Sequence, residues 1–260
     1  MKNIISNWKH YINESFLMNP IDFQTKDTLN PKIWTDEEQL NPEISDKLVQ
    51  IAKDFFESMR LTWVEIIDIT FTGSLANYNW TDFSDIDLHI IVDYRQVDEN
   101  ITLVRDYFNA KRIEWNMKHK IMIKGYEVEI YVQELAEPHA STGVYSVLFN
   151  KWKVKPVKQK IAIDEGAIFK KASYLSDMID DVERIFFEGD FKKSYDVAMK
   201  IGEKIRKFRK CGLEHGGEFS TENLAFKALR RNGYLRKLSD LKTNTYDRMM
   251  SLNGGAEHIY

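Results

Sequence analysis

The stretch 70–94, TFTGSLANYNWTDFSDIDLHIIVDY, concentrates side chains that could do chemistry. An apolar, β-branched run ends in Gly73-Ser74, and after ten intervening residues Asp85-Ile86-Asp87-Leu88 opens a second apolar run. On a strand, side chains i and i+2 share a face, so Asp85 and Asp87 project together while Ile86 and Leu88 point to a core. Two carboxylates about 7 Å apart at Cα repel each other unless a cation sits between them. Their oxygens suit Mg²⁺ or Mn²⁺, hard ions that bind through a few carboxylates together with substrate phosphates. Gly73 lets a backbone approach a phosphate closely and Ser74 can donate a hydroxyl hydrogen bond. A helix starting near Leu75 would add free N–H groups to that anion site.

A pair of metal ions needs a further carboxylate for the ion that meets the attacking oxygen. The run Tyr126-Glu127-Val128-Glu129-Ile130-Tyr131-Val132 offers two on one face of a strand. Glu129, flanked by Val128 and Ile130, is the preferred ligand. Glu127 is the alternative, or an exposed neighbour.

This combination resembles the DNA polymerase β-like nucleotidyltransferase superfamily, whose signature is Gly-Ser after an apolar residue, a spacer of this size, Asp-apolar-Asp, and a later apolar-acid-apolar strand. The resemblance covers residues 61–155. It implies an α+β fold with a mixed sheet, and transfer of a nucleoside monophosphate from an NTP to an acceptor hydroxyl with release of pyrophosphate. Gly73 and Ser74 match the phosphate-binding turn, Asp85 and Asp87 the ligands of both metals, and Glu129 the third carboxylate, where the family more often has Asp. The remaining chain, including Leu29–Trp34, is similar to nucleotidyltransferases predicted in large tailed phages. In related enzymes a helical domain faces the cleft with basic groups. That role would fall to Lys200, Lys204 or Arg206 for the triphosphate and to Arg230 and Arg231 for an RNA acceptor.

The elements that must position these groups follow from apolar periodicity. Ile4–Phe16 reads as a helix docked on the protein's own core, and 18–42 as loop with Leu-Asn-Pro units at 29–31 and 40–42. Asn41-Pro42 opens a helix whose apolar face is Ile44, Leu48, Ile51, Phe55 and Met59. Strands are expected at Val64–Thr72 and Ile86–Val92, and a helix at Leu103–Lys118. Lys120–Ile123 and Glu127–Gln133 should form a hairpin around Lys124-Gly125, and Val144–Phe149 with Trp152–Val154 a second one. From Asp164 the pattern is helical: a stripe from Phe169 to Phe186, another from Phe191 to Phe208 stopped at Gly212, a third helix capped by Ser220 or Thr221, and a fourth after Asn232-Gly233. The division expected is an N-terminal helical extension (1–60), a catalytic domain (61–160) and a basic helical bundle (161–260).

Other candidates have plainer readings. His89 lies on the Asp85/Asp87 face and reads as a hydrogen-bonded sheet histidine. Pro138–Gly143 could touch a nucleotide or simply turn the chain. Cys211 reads as a buried thiol, and six His with one Cys give no zinc spacing. Arg209 and His215 loosely fit the Arg-x(4–6)-His pattern of helical ribonucleases, but Gly212 should interrupt the helix between them.

The chain has 260 residues, 43% apolar and 30% charged, with five Pro and twelve Gly, which excludes collagen-like and disordered classes. One Cys allows no internal disulfide, and no apolar run or N-terminal leader pattern suits a membrane span or export, so a cytoplasmic protein is expected, in the host cell if phage-encoded. Residues 1–150 carry 14 Lys and Arg against 24 Asp and Glu, a net −10; residues 151–260 carry 23 against 16, a net +7. The basic half favours RNA, such as a tRNA 3′ end, as acceptor, with a protein side chain or a small molecule as rivals and a catalytically silent nucleotide-binding module as another.

Overall fold

The computed structural model describes residues 24–139, 141–159 and 162–252. They divide into two compact units that part between 160 and 161. The expected helix at 4–16 lies outside the described residues. Among the described residues the fold is α+β, with a six-stranded mixed sheet and six α-helices.

The first unit opens with the loop 24–41, tied by an isolated bridge between Trp34 and Leu40. Helix α1 (Pro42–Ser58) starts as its sequence dictates: the Asn41 side chain accepts from the Glu43 N–H and Pro42 takes the first turn. Strands β1 (Asp68–Thr72) and β2 (Ile86–Val92) follow, then α2 (Ile101–Lys118), β3 (Met122–Ile123), β4 (Tyr126–Glu134), β5 (Val144–Ser146) and β6 (Lys151–Val154). The sheet order is β3-β4-β2-β1-β5-β6. Only β2 and β4 run parallel, joined through α2; the other neighbours are antiparallel. The β3–β4 hairpin turns on Lys124-Gly125, both at positive φ.

One face of the sheet is apolar. Ile69, Phe71, Ile86, Leu88, Ile90, Val128 and Ile130 are buried there with Leu48 and Phe55 of α1 and Val104 and Phe108 of α2. Leu29, Ile33 and Trp34 of the 24–41 loop join the same core. The opposite face is polar and carries Asp68, Thr70 and Thr72 of β1, Asp87 and His89 of β2, and Glu129, Tyr131 and Gln133 of β4. Strand β1 is shorter than the expected 64–72, because its partner β2 ends at Val92 and register pairing begins only at Asp68–Ile91. Likewise β5 stops at Ser146, and Leu148 and Phe149 are exposed in the turn before β6.

The second unit is a helical bundle of α3 (Glu165–Phe187), α4 (Phe191–Gly216), α5 (Thr221–Arg231) and α6 (Tyr234–Met250) around Ala172, Leu175, Ile179, Ala198, Ile201, Ile205, Ala228, Leu229 and Leu238. Ser220 caps α5 by accepting from the Asn223 N–H, and Gly233 at φ +77 separates α5 from α6. The expected stop at Gly212 is wrong: α4 runs through it to Gly216. A Cβ at 212 would lie 2.5 Å from Glu222 Cβ and 2.7 Å from Ser220 Oγ, so this glycine permits close packing of α4 on the start of α5. The expected burial of Cys211 is also wrong. It is exposed. Arg209 and His215 therefore lie on one unbroken helix. The two still do not form a pair: Arg209 reaches Asn223 and stacks over Phe226 at 4.2 Å, while His215 hydrogen-bonds the Cys211 carbonyl at 2.9 Å. No helix among the described residues is long and apolar enough to cross a membrane.

Candidate functional site

The polar face of the sheet brings three of the motif segments together. Register pairs Thr72 with Asp87 and Asp87 with Glu129, so the end of β1, the start of β2 and the middle of β4 meet in one row. Parallel neighbours lie about 4.8 Å apart, which sets the Asp87 and Glu129 side chains beside each other on one face. Asp85 precedes β2 by one residue. Glu127 shares that face of β4 two residues earlier, and on the strand's other edge it pairs with Met122 of β3.

Gly73 turns the chain directly against this row. Its φ is +81, and a Cβ placed there would lie 1.9 Å from Asp87 Oδ2. The backbone thus approaches the carboxylate more closely than any other residue type allows. Ser74 opens a single 3₁₀ turn, Ser74–Ala76, in place of the expected helix, so no helix terminus adds to an anion site here. The Ser74 hydroxyl donates to Ser84 Oγ at 2.7 Å, and Ser84 Oγ accepts from the Thr81 N–H at 3.0 Å. That chain of bonds ties the Gly-Ser turn to the residue before Asp85. The turn is braced from behind as well: the Trp34 indole N–H donates to the Leu75 carbonyl at 2.7 Å. Trp34 is itself stacked between Phe71 and Trp152. The Leu29–Trp34 segment is therefore a strut under the turn, and its Asn30 reaches the Tyr126 hydroxyl on β4 at 2.6 Å.

Of the segment 138–143, open to two readings from sequence, Ser141 and Thr142 pack on the same turn. The Gly73 N–H donates to Ser141 Oγ at 3.4 Å, and the Asn77 amide donates to Thr142 Oγ1 at 2.6 Å. With it the polar face becomes the floor of a cavity of about 470 Å³, lined by Gly73, Asp87, His89, Tyr131, Gln133 and His139 among others. Arg105 and Asn109 of α2 form part of its wall. Sequence inspection missed these two; their i, i+4 spacing on one helix face was the available signal, and exposed charged helix residues are too common for it to stand out.

Hydrogen bonds along β4 and β2 set the state of this floor. Tyr131 donates to Glu129 Oε2 at 2.6 Å, and burial together with that carboxylate holds the phenol above its ordinary range, so it remains a donor. The Arg112 guanidinium lies over the Tyr131 ring at 4.8 Å. His89 bonds Gln133 Oε1 through Nδ1 at 2.8 Å and stacks on Tyr131. Burial pushes His89 down to about 4 against the Gln133 bond, so it is a neutral ring at pH 7. Among the described residues no three His, Cys, Asp or Glu side chains gather into one ligating cluster. Glu129 leans along β4 to Tyr131, toward the His89 end of the row rather than the Asp85 end. The donor set along the row is all oxygen, the chemistry that suits a hard divalent cation completed by substrate oxygens.

The other predicted binding residues, Lys200 and Lys204, belong to the bundle. There they line a groove of about 490 Å³ with Lys207 and Phe208. Arg206 Nε bonds the Gly202 carbonyl. Arg230 and Arg231 occupy the last turn of α5, where cations complement the carbonyl end of the helix dipole. Comparison of the chain with protein-family models, with curated proteins and with solved structures finds no match.

Proposed function

We propose that the chain is a metal-dependent nucleotidyltransferase with a polymerase β-like catalytic domain. It moves a nucleoside monophosphate from an NTP to an acceptor hydroxyl: the acceptor oxygen bonds the α-phosphorus, the bond to the bridging oxygen breaks, and pyrophosphate leaves. The observation that carries this reading is the row Thr72–Asp87–Glu129 with Gly73 pressed on the Asp87 carboxylate. Asp85 and Asp87 would hold two Mg²⁺ or Mn²⁺ ions, and Glu129 the one nearer the acceptor. When bound, such ions neutralise the triphosphate and lower the pKa of the attacking hydroxyl. The Gly73 N–H and the Ser74 hydroxyl would exchange their bonds to Ser141 and Ser84 for the departing phosphates. The wall of the cavity formed by Pro138, His139, Ser141 and α2 limits water around the reacting groups. Catalysis rests on positioning and on fixed charge rather than on a protein nucleophile.

RNA, in the form of a 3′ end, is the proposed acceptor, with a protein side chain or a small molecule as the rivals an experiment must separate. Incubation with each α-labelled NTP, Mg²⁺ and a cell extract should transfer label to material that ribonuclease digests and protease leaves intact. Label in protease-sensitive material would move the acceptor to protein. No transfer, together with metal-dependent NTP binding by titration calorimetry, would leave a silent nucleotide-binding module.

A further inference from the structure

On α4, Lys200, Lys204 and Lys207 stand at i, i+4 and i+7, on one face of the helix over about 10 Å. They line the groove of about 490 Å³ with Phe208, and Glu203 is the only carboxylate among its lining side chains. Elsewhere on α4, Lys192 pairs with Asp196 and Lys210 with Glu214. No ion pair involves Lys200, Lys204 or Lys207 among the described residues. Helix α4 as a whole carries eight Lys and Arg against three Asp and Glu, and three of its cations that make no ion pair share this stripe. Beside the stripe, Tyr174 of α3 is 56% exposed, its hydroxyl 3.2 Å from Lys204 Nζ and its ring 4.6 Å from the same cation. Lys171 lies over the Phe208 ring and is neutralised by Glu222.

We infer that this groove is a docking surface for single-stranded RNA. Cations spaced along about 10 Å can meet successive phosphates, and the release of counterions drives the contact. A half-exposed tyrosine ring beside them gives a base a planar surface, which a purely electrostatic site for an acidic peptide or an anionic lipid would not need. The inference rests on the proposed reading only in naming the surface that an RNA acceptor would use; the binding itself requires neither metal nor NTP.

The test is fluorescence anisotropy of the full chain with a labelled twelve-nucleotide single-stranded RNA, without NTP or Mg²⁺, at 50 and 200 mM salt. The triple variant Lys200→Gln/Lys204→Gln/Lys207→Gln should bind at least tenfold more weakly, with a salt slope smaller by about 2. Tyr174→Ala should weaken binding about tenfold. Circular dichroism and thermal melting confirm that each variant is folded. Lys192→Gln/Lys193→Gln, outside the groove, should bind within twofold of the parent. Asp87→Asn should do the same, so loss of transfer and loss of RNA binding are read separately. The inference is overturned if the triple variant binds like the parent or if Lys192→Gln/Lys193→Gln loses as much. Competition by polyglutamate or phosphatidylserine vesicles as effective as unlabelled RNA would also overturn it.

Discussion

At Gly73 a single methyl group decides whether the site can form. An alanine there would place its Cβ 1.9 Å from Asp87 Oδ2, on a backbone at φ +81. Gly73→Ala is expected to cost about 1–3 kcal/mol of stability and, by shifting the carboxylate, to lower transfer about a hundredfold. Thermal unfolding and an NTP-turnover assay check the two effects separately. Asp68, on the same face but away from the motif row, has a structural part. Its buried carboxylate accepts from Ser146 Oγ at 2.6 Å and from the Ile69 N–H at 2.8 Å, and it pairs with Lys153 at 3.1 Å. Asp68→Ala should destabilise by about 2 kcal/mol in urea unfolding, since Lys153 can turn to water but the two donors are left unmatched. The motif acids were legible because Asp-x-Asp and an acid flanked by apolar residues fix the side facing away from the core. The preference for Glu129 over Glu127 rests on its apolar flanks alone; that Glu129 is the residue beside Asp87 is set by the β2–β4 register, which one chain's spacing does not contain. Cys211 and Gly212 were misread for a related reason: whether a helix position faces the core or a neighbouring helix depends on packing.

At the scale of elements, the 24–41 loop holds the functional turn in place. Trp34→Phe keeps an aromatic ring between Phe71 and Trp152 but removes the N–H that the Leu75 carbonyl accepts. The expected result is a loss of about 1–2 kcal/mol in urea unfolding and weaker NTP binding by calorimetry. Further along the loop, Glu38 accepts from the Tyr78 hydroxyl at 2.6 Å and pairs with Lys155 at 2.7 Å. The Lys155 bond, then the Tyr78 bond, hold its carboxyl below the usual carboxylate range. A carboxyl depressed by folding contributes stability that is complete above its unfolded pKa of about 4.5 and is lost as pH falls through the lower folded value. Between pH 6 and pH 3.5 the melting temperature of the parent should therefore fall more steeply than that of Glu38→Gln. Strand β2 and the Asn41-Pro42 helix start are read from sequence without error because local signals suffice there. The limits of β1 and β5 are set by where partner strands end, so their ends were misplaced.

At the scale of the whole molecule, the boundary between units changes what the charge asymmetry means. The count of +7 for residues 151–260 includes five lysines at 151, 153, 155, 158 and 160, before the division at 160. Lys153 pairs with Asp68 and Lys155 with Glu38, while Lys158 lies over the Tyr78 ring, so these charges stabilise the first unit. From 161 on, 18 basic side chains face 16 acidic ones, a net of only +2. General basicity of the bundle is thus a weak argument for a polyanionic partner, and the unmatched stripe on α4 is the stronger one. Nucleotidyl transfer at the Asp87 row, as proposed, is best tested by pyrophosphate release in the presence of acceptor-containing extract, NTP and Mg²⁺, comparing the parent with Asp87→Asn. Pyrophosphate should appear in step with label incorporation for the parent, and at a rate at least about a thousandfold lower for Asp87→Asn, equivalent to about 4 kcal/mol, at an unchanged melting temperature. Near-parent pyrophosphate release by Asp87→Asn, or release of orthophosphate alone by the parent, would contradict it.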